Sequence, residues 1–176
     1  MTTSLVLTFI AHDRPGLVNT ISETIAAAGG SWLESRLAHL ADKFAGIVLV
    51  GIAEPNIAGL TAALHSLEAS GLRITIERSS AAPAEASHKT LELNLVGHDR
   101  PGIVRDVTQA LNQLGANIEA FSSGIESAPF TGETIFRATA RLRIPDGVTQ
   151  DAVQTILEQL ADEIMVDLTT SAAEKI

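Results

Sequence analysis

The residues with the clearest chemical potential stand in a motif that occurs twice. The sequence has HDRPGLV at positions 12–18 and HDRPGIV at positions 98–104, an offset of 86 residues (98 − 12). Each copy places an imidazole, a carboxylate and a guanidinium directly before a proline and a glycine. A carboxylate accepts hydrogen bonds from an ammonium group, and N–H groups at a helix start attract an anion. The motif therefore suggests a site for a zwitterion such as a free amino acid.

A purely structural interpretation of the same motif competes with binding. Asp-x-Pro-Gly is an ordinary helix start, in which Asp13 would cap the helix by accepting the N–H of Gly16. Pro15 in the first turn would lose no hydrogen bond there. The histidine before it has no part in capping, so its recurrence favours a ligand or partner. The two roles compete for Asp13, and both hypotheses stay open here.

The neighbourhood of the motif shows that a whole unit is duplicated. The same offset relates four further identical pairs: Leu5 and Leu91, Leu7 and Leu93, Val18 and Val104, Gly29 and Gly115. The stretch 79–88 is small, polar and contains proline, as linkers do. We therefore predict a first domain over residues 1–79, a linker over 80–88, a second domain over 89–172 and a tail over 173–176.

Hydrophobic spacing predicts the elements that position each motif. In the first unit the pattern predicts strands at 4–11, 31–40, 44–53 and 72–78, with ADK (41–43) as a tight turn. Helical stripes lie between them, and they are formed by Val18, Ile21, Ile25 and Ala28, and by Ile57, Leu60, Leu64 and Leu67.

The second unit repeats this order. Its first strand carries Leu91, Leu93 and Leu95, and its helical stripes are Val104, Val107, Leu111 and Leu114, and Val153, Ile156, Leu160 and Ile164. The stretch 136–144 alternates apolar residues with Arg137, Thr139, Arg141 and Arg143, which is typical of a strand with one covered face. We predict an α+β fold of two tandem ferredoxin-like βαββαβ domains, each a four-stranded antiparallel sheet with two helices on one face.

Composition narrows the function classes. The net charge is −9 and there is no cysteine. Phosphate backbones repel such a surface, so we expect no direct nucleic-acid binding. The five histidines lack metal-ligand spacing, so we expect no metal and no cofactor. No charged-then-apolar leader and no long apolar run occur, so we expect a cytoplasmic protein without membrane contact.

The βαββαβ unit with Asp-Arg-Pro-Gly after its first strand resembles the ACT domain, and so does Gly-Ala-Asn-Ile at 115–118. Two such units with no enzyme attached resemble the glycine cleavage system transcriptional repressor family. The stretches 29–50, in particular Glu34-Ser35-Arg36-Leu37-Ala38, and 127–145, with its Ala-Pro-x-x-Gly loop, carry that resemblance.

The resemblance implies a non-catalytic regulator. It would bind a small amino acid, glycine or serine before others, and control transcription through a protein partner such as a LysR-type activator, as a homo-oligomer. The implied ligand lies between the first loop of one unit and the second strand of its neighbour. The ligand-binding candidates are His12, Asp13, Arg14, Gly16, Ser31, His98, Asp99, Arg100, Gly102 and Asn117. In the first unit the position that corresponds to Asn117 is Ser31, so we favour the second loop as the ligand site. No catalytic residue is expected.

Two alternatives remain. The chain could be a detached regulatory module of an amino-acid or one-carbon enzyme, like the ACT units preceding a formyltetrahydrofolate deformylase. It could also be an enzyme like the acylphosphatases, which share the βαββαβ order and use an arginine of the first loop, here Arg14 or Arg100. The glycine-rich phosphate loop of those enzymes is missing.

Overall fold

The computed structural model describes residues 2–79, 89–127, 132–160 and 165–171. The chain divides into two units, one within residues 1–84 and the other within residues 85–176. The predicted linker 80–88 and tail 173–176 lie outside the described residues, as do Ile164 and most of the Ala-Pro-x-x-Gly loop. Within the described ranges, no helix is long and apolar enough to cross a membrane.

The first unit has the predicted βαββαβ order. Its elements are β1 (Thr2–His12), α1 (Leu17–Ala27), β2 (Ser31–Leu40), β3 (Lys43–Ala53), α2 (Ile57–Ser66) and β4 (Arg73–Arg78). The strands pair antiparallel in the order β2-β3-β1-β4. The predicted ADK turn joins β2 to β3, with Ala41 in the left-handed region at φ 54°.

The second unit repeats this arrangement. Its elements are β5 (Lys89–His98), α3 (Ile103–Gln113), β6 (Asn117–Ser127), β7 (Thr134–Ile144), α4 (Gln150–Glu158) and β8 (Met165–Ser171). The strands pair antiparallel in the order β6-β7-β5-β8. The predicted fold class is confirmed: each unit is a four-stranded antiparallel sheet with two helices packed on one face.

Alternation along the strands builds each core. Leu5 and Leu7 of β1 are buried against Ile21 and Ile25 of α1, and the second unit uses Leu91 and Leu93 in the same way. The predicted half-covered strand is also confirmed, because Phe136, Ala138, Ala140, Leu142 and Ile144 are all buried while the arginines between them are exposed.

One helix position differs from the prediction. Val18 and Val104, placed on the apolar stripes, are 37% and 40% exposed. Leu17 and Ile103 are buried instead. Counting back four residues from Ile21, about one helical turn, reaches Leu17 rather than Val18, so the stripe begins one residue earlier.

The two sheets share a β-bulge at the same position. The register of β2 against β3 shifts between Trp32 and Glu34, and that of β6 against β7 shifts between Ile118 and Ala120. The extra residues are Leu33 and Glu119, which the 86-residue offset also relates. A bulge re-aims the side chains that precede it. The duplication therefore extends to an irregularity of the backbone.

Candidate functional site

Each repeated motif ends in a tight turn rather than in a capped helix. Gly16 has φ 88° and ψ −1°, and Gly102 has φ 86° and ψ 2°. These values match the third position of a type II turn, about +80° and 0°, with proline at the second position as that turn prefers. In the second unit the N–H of Ile103 donates to the carbonyl of Arg100 across the turn at 3.2 Å.

The predicted aspartate cap is therefore wrong. Gly16 and Gly102 occupy the N-cap positions, and no side chain caps either helix. The backbone N–H of Asp13 donates to the carbonyl of Asp42, and that of Asp99 donates to the carbonyl of Thr134. These bonds hold the start of the first loop to the turn between β2 and β3, and the start of the second loop to the first residue of β7. Both aspartate carboxylates are thus released from the capping role that competed with binding.

The two carboxylates have different surroundings. The Nε2 atom of His39 lies 3.5 Å from the Asp13 carboxylate. The exposed Asp99 carboxylate has no ion pair or hydrogen-bond partner among the residues that the structure describes. An ammonium group would therefore meet an unoccupied carboxylate at the second loop only.

The arginines of the motif also differ between the units. Arg14 donates to the Ser70 hydroxyl at 3.1 Å. Arg100 donates to the Asp106 carboxylate at 2.6 Å, and Arg105 donates to the other oxygen of the same group. These hydrogen bonds, first that from Arg100 and then that from Arg105, lower the pKa of Asp106. Asp106 thereby fixes Arg100 beside the turn and neutralises part of its charge.

The two motif histidines, His12 and His98, do not line the pockets that contain the motif aspartates and arginines. His12 lines a separate hollow with Lys43 and Glu68, and its Nδ1 atom is 3.1 Å from the Asp42 carboxylate. A hydrogen bond from the Lys43 ammonium lowers the pKa of Asp42. His98 is exposed at the end of β5 and does not line the pocket beside the second loop.

Ser31 and Asn117 are not brought to the loops within a unit. Ser31 pairs with Gly51 at the start of β2, whereas the loop of the first unit meets the other end of that strand, near His39. Asn117 likewise begins β6, opposite Arg143. Seven residues of extended strand, about 23 Å, separate Asn117 from Gly124 beside the second loop. Their predicted role in the ligand site therefore stays a prediction.

A pocket of ≈ 550 Å³ lies beside the second loop. It is lined by Asp99, Arg100, Gly102, Ile103, Val104, Ser123, Gly124, Ile125 and Phe136. The corresponding pocket at the first loop measures only ≈ 280 Å³ and contains Asp13, Arg14 and Gly16. The larger pocket thus combines the unpaired carboxylate, the uncapped start of α3 and an apolar wall.

Sequence reasoning missed the wall that β6 and β7 supply. Ser123, Gly124, Ile125 and Phe136 stand 19 or more residues after the end of the motif at position 104. The available signal was Gly124, because a glycine inside a strand often marks a close approach of backbone or ligand.

A larger groove lies elsewhere, between α1 and α2. It measures ≈ 830 Å³ and its lining, mostly small residues such as Ala27, Gly59 and Ala63, includes no charged side chain. Without a charged group it offers nothing to orient a zwitterion, so its size does not make it the candidate site. Among the described residues no group of three or more histidine, aspartate or glutamate side chains could hold a metal ion.

Comparison with known proteins agrees with the fold. ACT-domain models match residues 3–77 and residues 91–163. The glycine cleavage system transcriptional repressor of Escherichia coli (strain K12) is 28% identical over 125 residues, which cover 70% of this chain and 66% of the relative, just under two thirds. The repressor of the same description from Shigella flexneri matches equally.

Two solved structures resemble nearly the whole chain. A protein of unknown function from Galdieria sulphuraria has a TM-score of 0.83 and 30% identity, covering 98% of this chain and 100% of that one. A protein provisionally assigned as a glycine cleavage system transcriptional repressor has a TM-score of 0.72 and 22% identity, with coverages of 97% and 98%. With matches across both units, the chain belongs to the ACT-domain family and carries two ACT domains in tandem.

Proposed function

We propose that this protein is a non-catalytic regulator that binds a small amino acid at the pocket beside its second loop. The observation that carries the proposal is the pairing of an unpartnered carboxylate, Asp99, with the uncapped N-terminus of α3 in one pocket. The carboxylate suits an ammonium group, and the helix N–H groups suit a carboxylate. A free amino acid carries both groups.

The relatives suggest which amino acids to test first. The Escherichia coli relative is described as a glycine cleavage system transcriptional repressor. Glycine, or serine as its one-carbon derivative, is therefore the first ligand to test. The first-loop pocket is smaller and its Asp13 lies near His39, so we expect the second unit to hold the stronger site.

The test is calorimetric titration after a thermal-shift screen of the twenty amino acids. A ligand that binds only the folded state raises the melting temperature by mass action. Asp99→Ala should weaken binding of the best amino acid by about 1.5–3 kcal/mol, the range for a charge-assisted hydrogen bond. Asp13→Ala is the matched control, and it should bind nearly as the parent does.

Two outcomes would contradict the proposal. One is a screen in which no amino acid shifts the melting temperature. The other is an Asp99→Ala variant that binds like the parent while retaining its fold. Gly102→Val is a poor test, because any side chain is strained at φ 86° whether or not a ligand binds.

The regulatory step is proposed to run through a protein partner. The chain carries a net charge of −9, which disfavours direct contact with DNA and leaves a protein as the target. A LysR-type activator of glycine cleavage genes is the partner to test. Co-purification of the two proteins should change when the amino acid is added, and the change should be lost with Asp99→Ala.

A further inference from the structure

The first sheet has an unusually apolar open face, meaning the face that α1 and α2 do not cover. Its apolar side chains are Val6, Ile10, Leu33, Leu40, Ile47 and Leu49. Of these, Ile10, Leu33, Ile47 and Leu40 are 43%, 55%, 53% and 79% exposed. An antiparallel sheet that faces water on one side normally carries polar residues there.

The second sheet supplies an internal comparison, because the strand registers align the two open faces position by position. Its open face is crossed by three ion pairs: Arg141 with Glu92 at 2.8 Å, Arg143 with Glu119 at 3.3 Å and Arg137 with Glu126 at 3.5 Å. In the first sheet the same three places hold Leu49 with Val6, Gly51 with Leu33, and Ala45 with Leu40.

The first sheet thus has apolar residues at all three places where the second sheet has an ion pair, so the two open faces differ in their affinity for water. On the open face of the second sheet, the glutamate and arginine side chains pair with one another and remain compatible with solvent. The first face instead exposes several large apolar side chains around one ion pair, Arg36 with Glu34, and exposed apolar patches mark interaction sites in soluble proteins.

The rim of the first face indicates the occupant. Arg73 and Glu77 lie on β4 at the edge of this face, in register with Ile10 and Val6. Both are exposed, and within the described ranges neither has an ion-pair partner. Arg73 lies two residues before Thr75 and Glu77 lies two residues after it. Thr75 is in register with Thr8, and Thr8 pairs with Ile47, so these three residues lie at the same level of the sheet.

We propose that the open face of the first sheet binds the same face of a second copy of this chain. A two-fold axis that crosses the strands at the level of Ile47 lays β4 on β4 in opposite directions. Each Arg73 then lies opposite Glu77 of the second copy, so two opposite-charge pairs line the β4 edge of an interface whose centre is apolar. Arg36 is in register with Ile47 and therefore lies opposite Arg36 of the second copy across this axis, where the ion pair of each with its own Glu34 at 3.0 Å offsets the like charges.

The dimensions of the face fit this role. Four strands spaced about 4.8 Å apart and about 30 Å long cover about 600 Å². Each partner of a standard-size interface buries about 800 Å². An isologous contact uses the same patch of both copies, and this patch carries both the cation, Arg73, and the anion, Glu77, that pair across the contact.

The first experiment measures oligomeric state by sedimentation velocity at micromolar concentration. The parent should be a dimer. Ile47→Lys should raise the dimer dissociation constant at least about 100-fold, because the change enters the centre of an isologous interface twice. Thr139→Lys, at the corresponding position of the second sheet, is the matched control and should leave the dimer unchanged. Circular dichroism should show that both variants fold.

The second experiment tests the rim. Arg73→Glu and Glu77→Arg should each weaken the dimer by about 5- to 10-fold, and the double variant R73E/E77R should restore it. A monomeric parent overturns the proposal. So does a dimer indifferent to Ile47→Lys, and so does a double variant that is weaker than either single one.

Discussion

At the scale of single residues, a pair of arginines couples the stability of the second loop to the ionisation of Asp106. Asp106 is held by Arg100 and Arg105, whereas the 86-residue offset places Thr20 at the corresponding position of the first unit. Because the folded pKa of Asp106 is lowered, its ion pairs stabilise the fold above the ordinary aspartate pKa of about 4. That contribution is lost as the pH falls through the lower folded value.

We therefore predict that Asp106→Asn removes part of the acid sensitivity of the second unit. The variant should be less stable than the parent at neutral pH, and the difference should shrink steadily below about pH 4. Urea denaturation at a series of pH values measures it. A difference that stays constant from neutral pH to about pH 2 would show that Asp106 contributes no titrating ion pair.

At the scale of elements, the helices begin in different ways. Among the described helices only α4 has a side-chain cap, where the Thr149 hydroxyl accepts the N–H of Ala152 at 3.2 Å. Thr149→Ala should cost about 1 kcal/mol of unfolding free energy, and Thr149→Ser should cost much less.

Asp99→Ala is the informative comparison in the same denaturation series. Its carboxylate does not cap α3, so the variant should lose much less stability than Thr149→Ala does. An equal loss in the two variants would restore the aspartate as a cap and remove the reason for assigning it to a ligand.

The elements also show what sequence reasoning can and cannot supply. Alternation and helical spacing predicted the order of both units, because burial of one face imposes those periods directly. Of the two hypotheses for Asp-x-Pro-Gly, the aspartate-capped helix start is wrong, since a type II turn leading into a helix uses the same residues. Asn117 was assigned to the ligand site by resemblance; within its own unit it begins β6 opposite Arg143, away from the second loop, so that assignment stays a prediction. The wall at Ser123–Ile125 depends on pairing between distant strands, which linear spacing does not encode.

At the scale of the whole molecule, charge governs which partners can approach. With a net charge of −9, the purified chain should not shift a DNA fragment at physiological ionic strength. A gel-shift titration across salt concentrations checks this. A shift that weakens as salt is raised would show a phosphate-binding surface and would replace the protein partner in the proposed mechanism.

The difference between the two open sheet faces also determines how many other copies one chain can bind through the proposed contact. A chain of two identical units would present two adhesive faces, and each contact between copies would leave another face free. Here three Glu–Arg pairs cross the open face of the second sheet, so of the two open faces described, that of the first sheet is the apolar one. The proposed contact between first-sheet faces therefore joins two copies and offers no equivalent surface to a third.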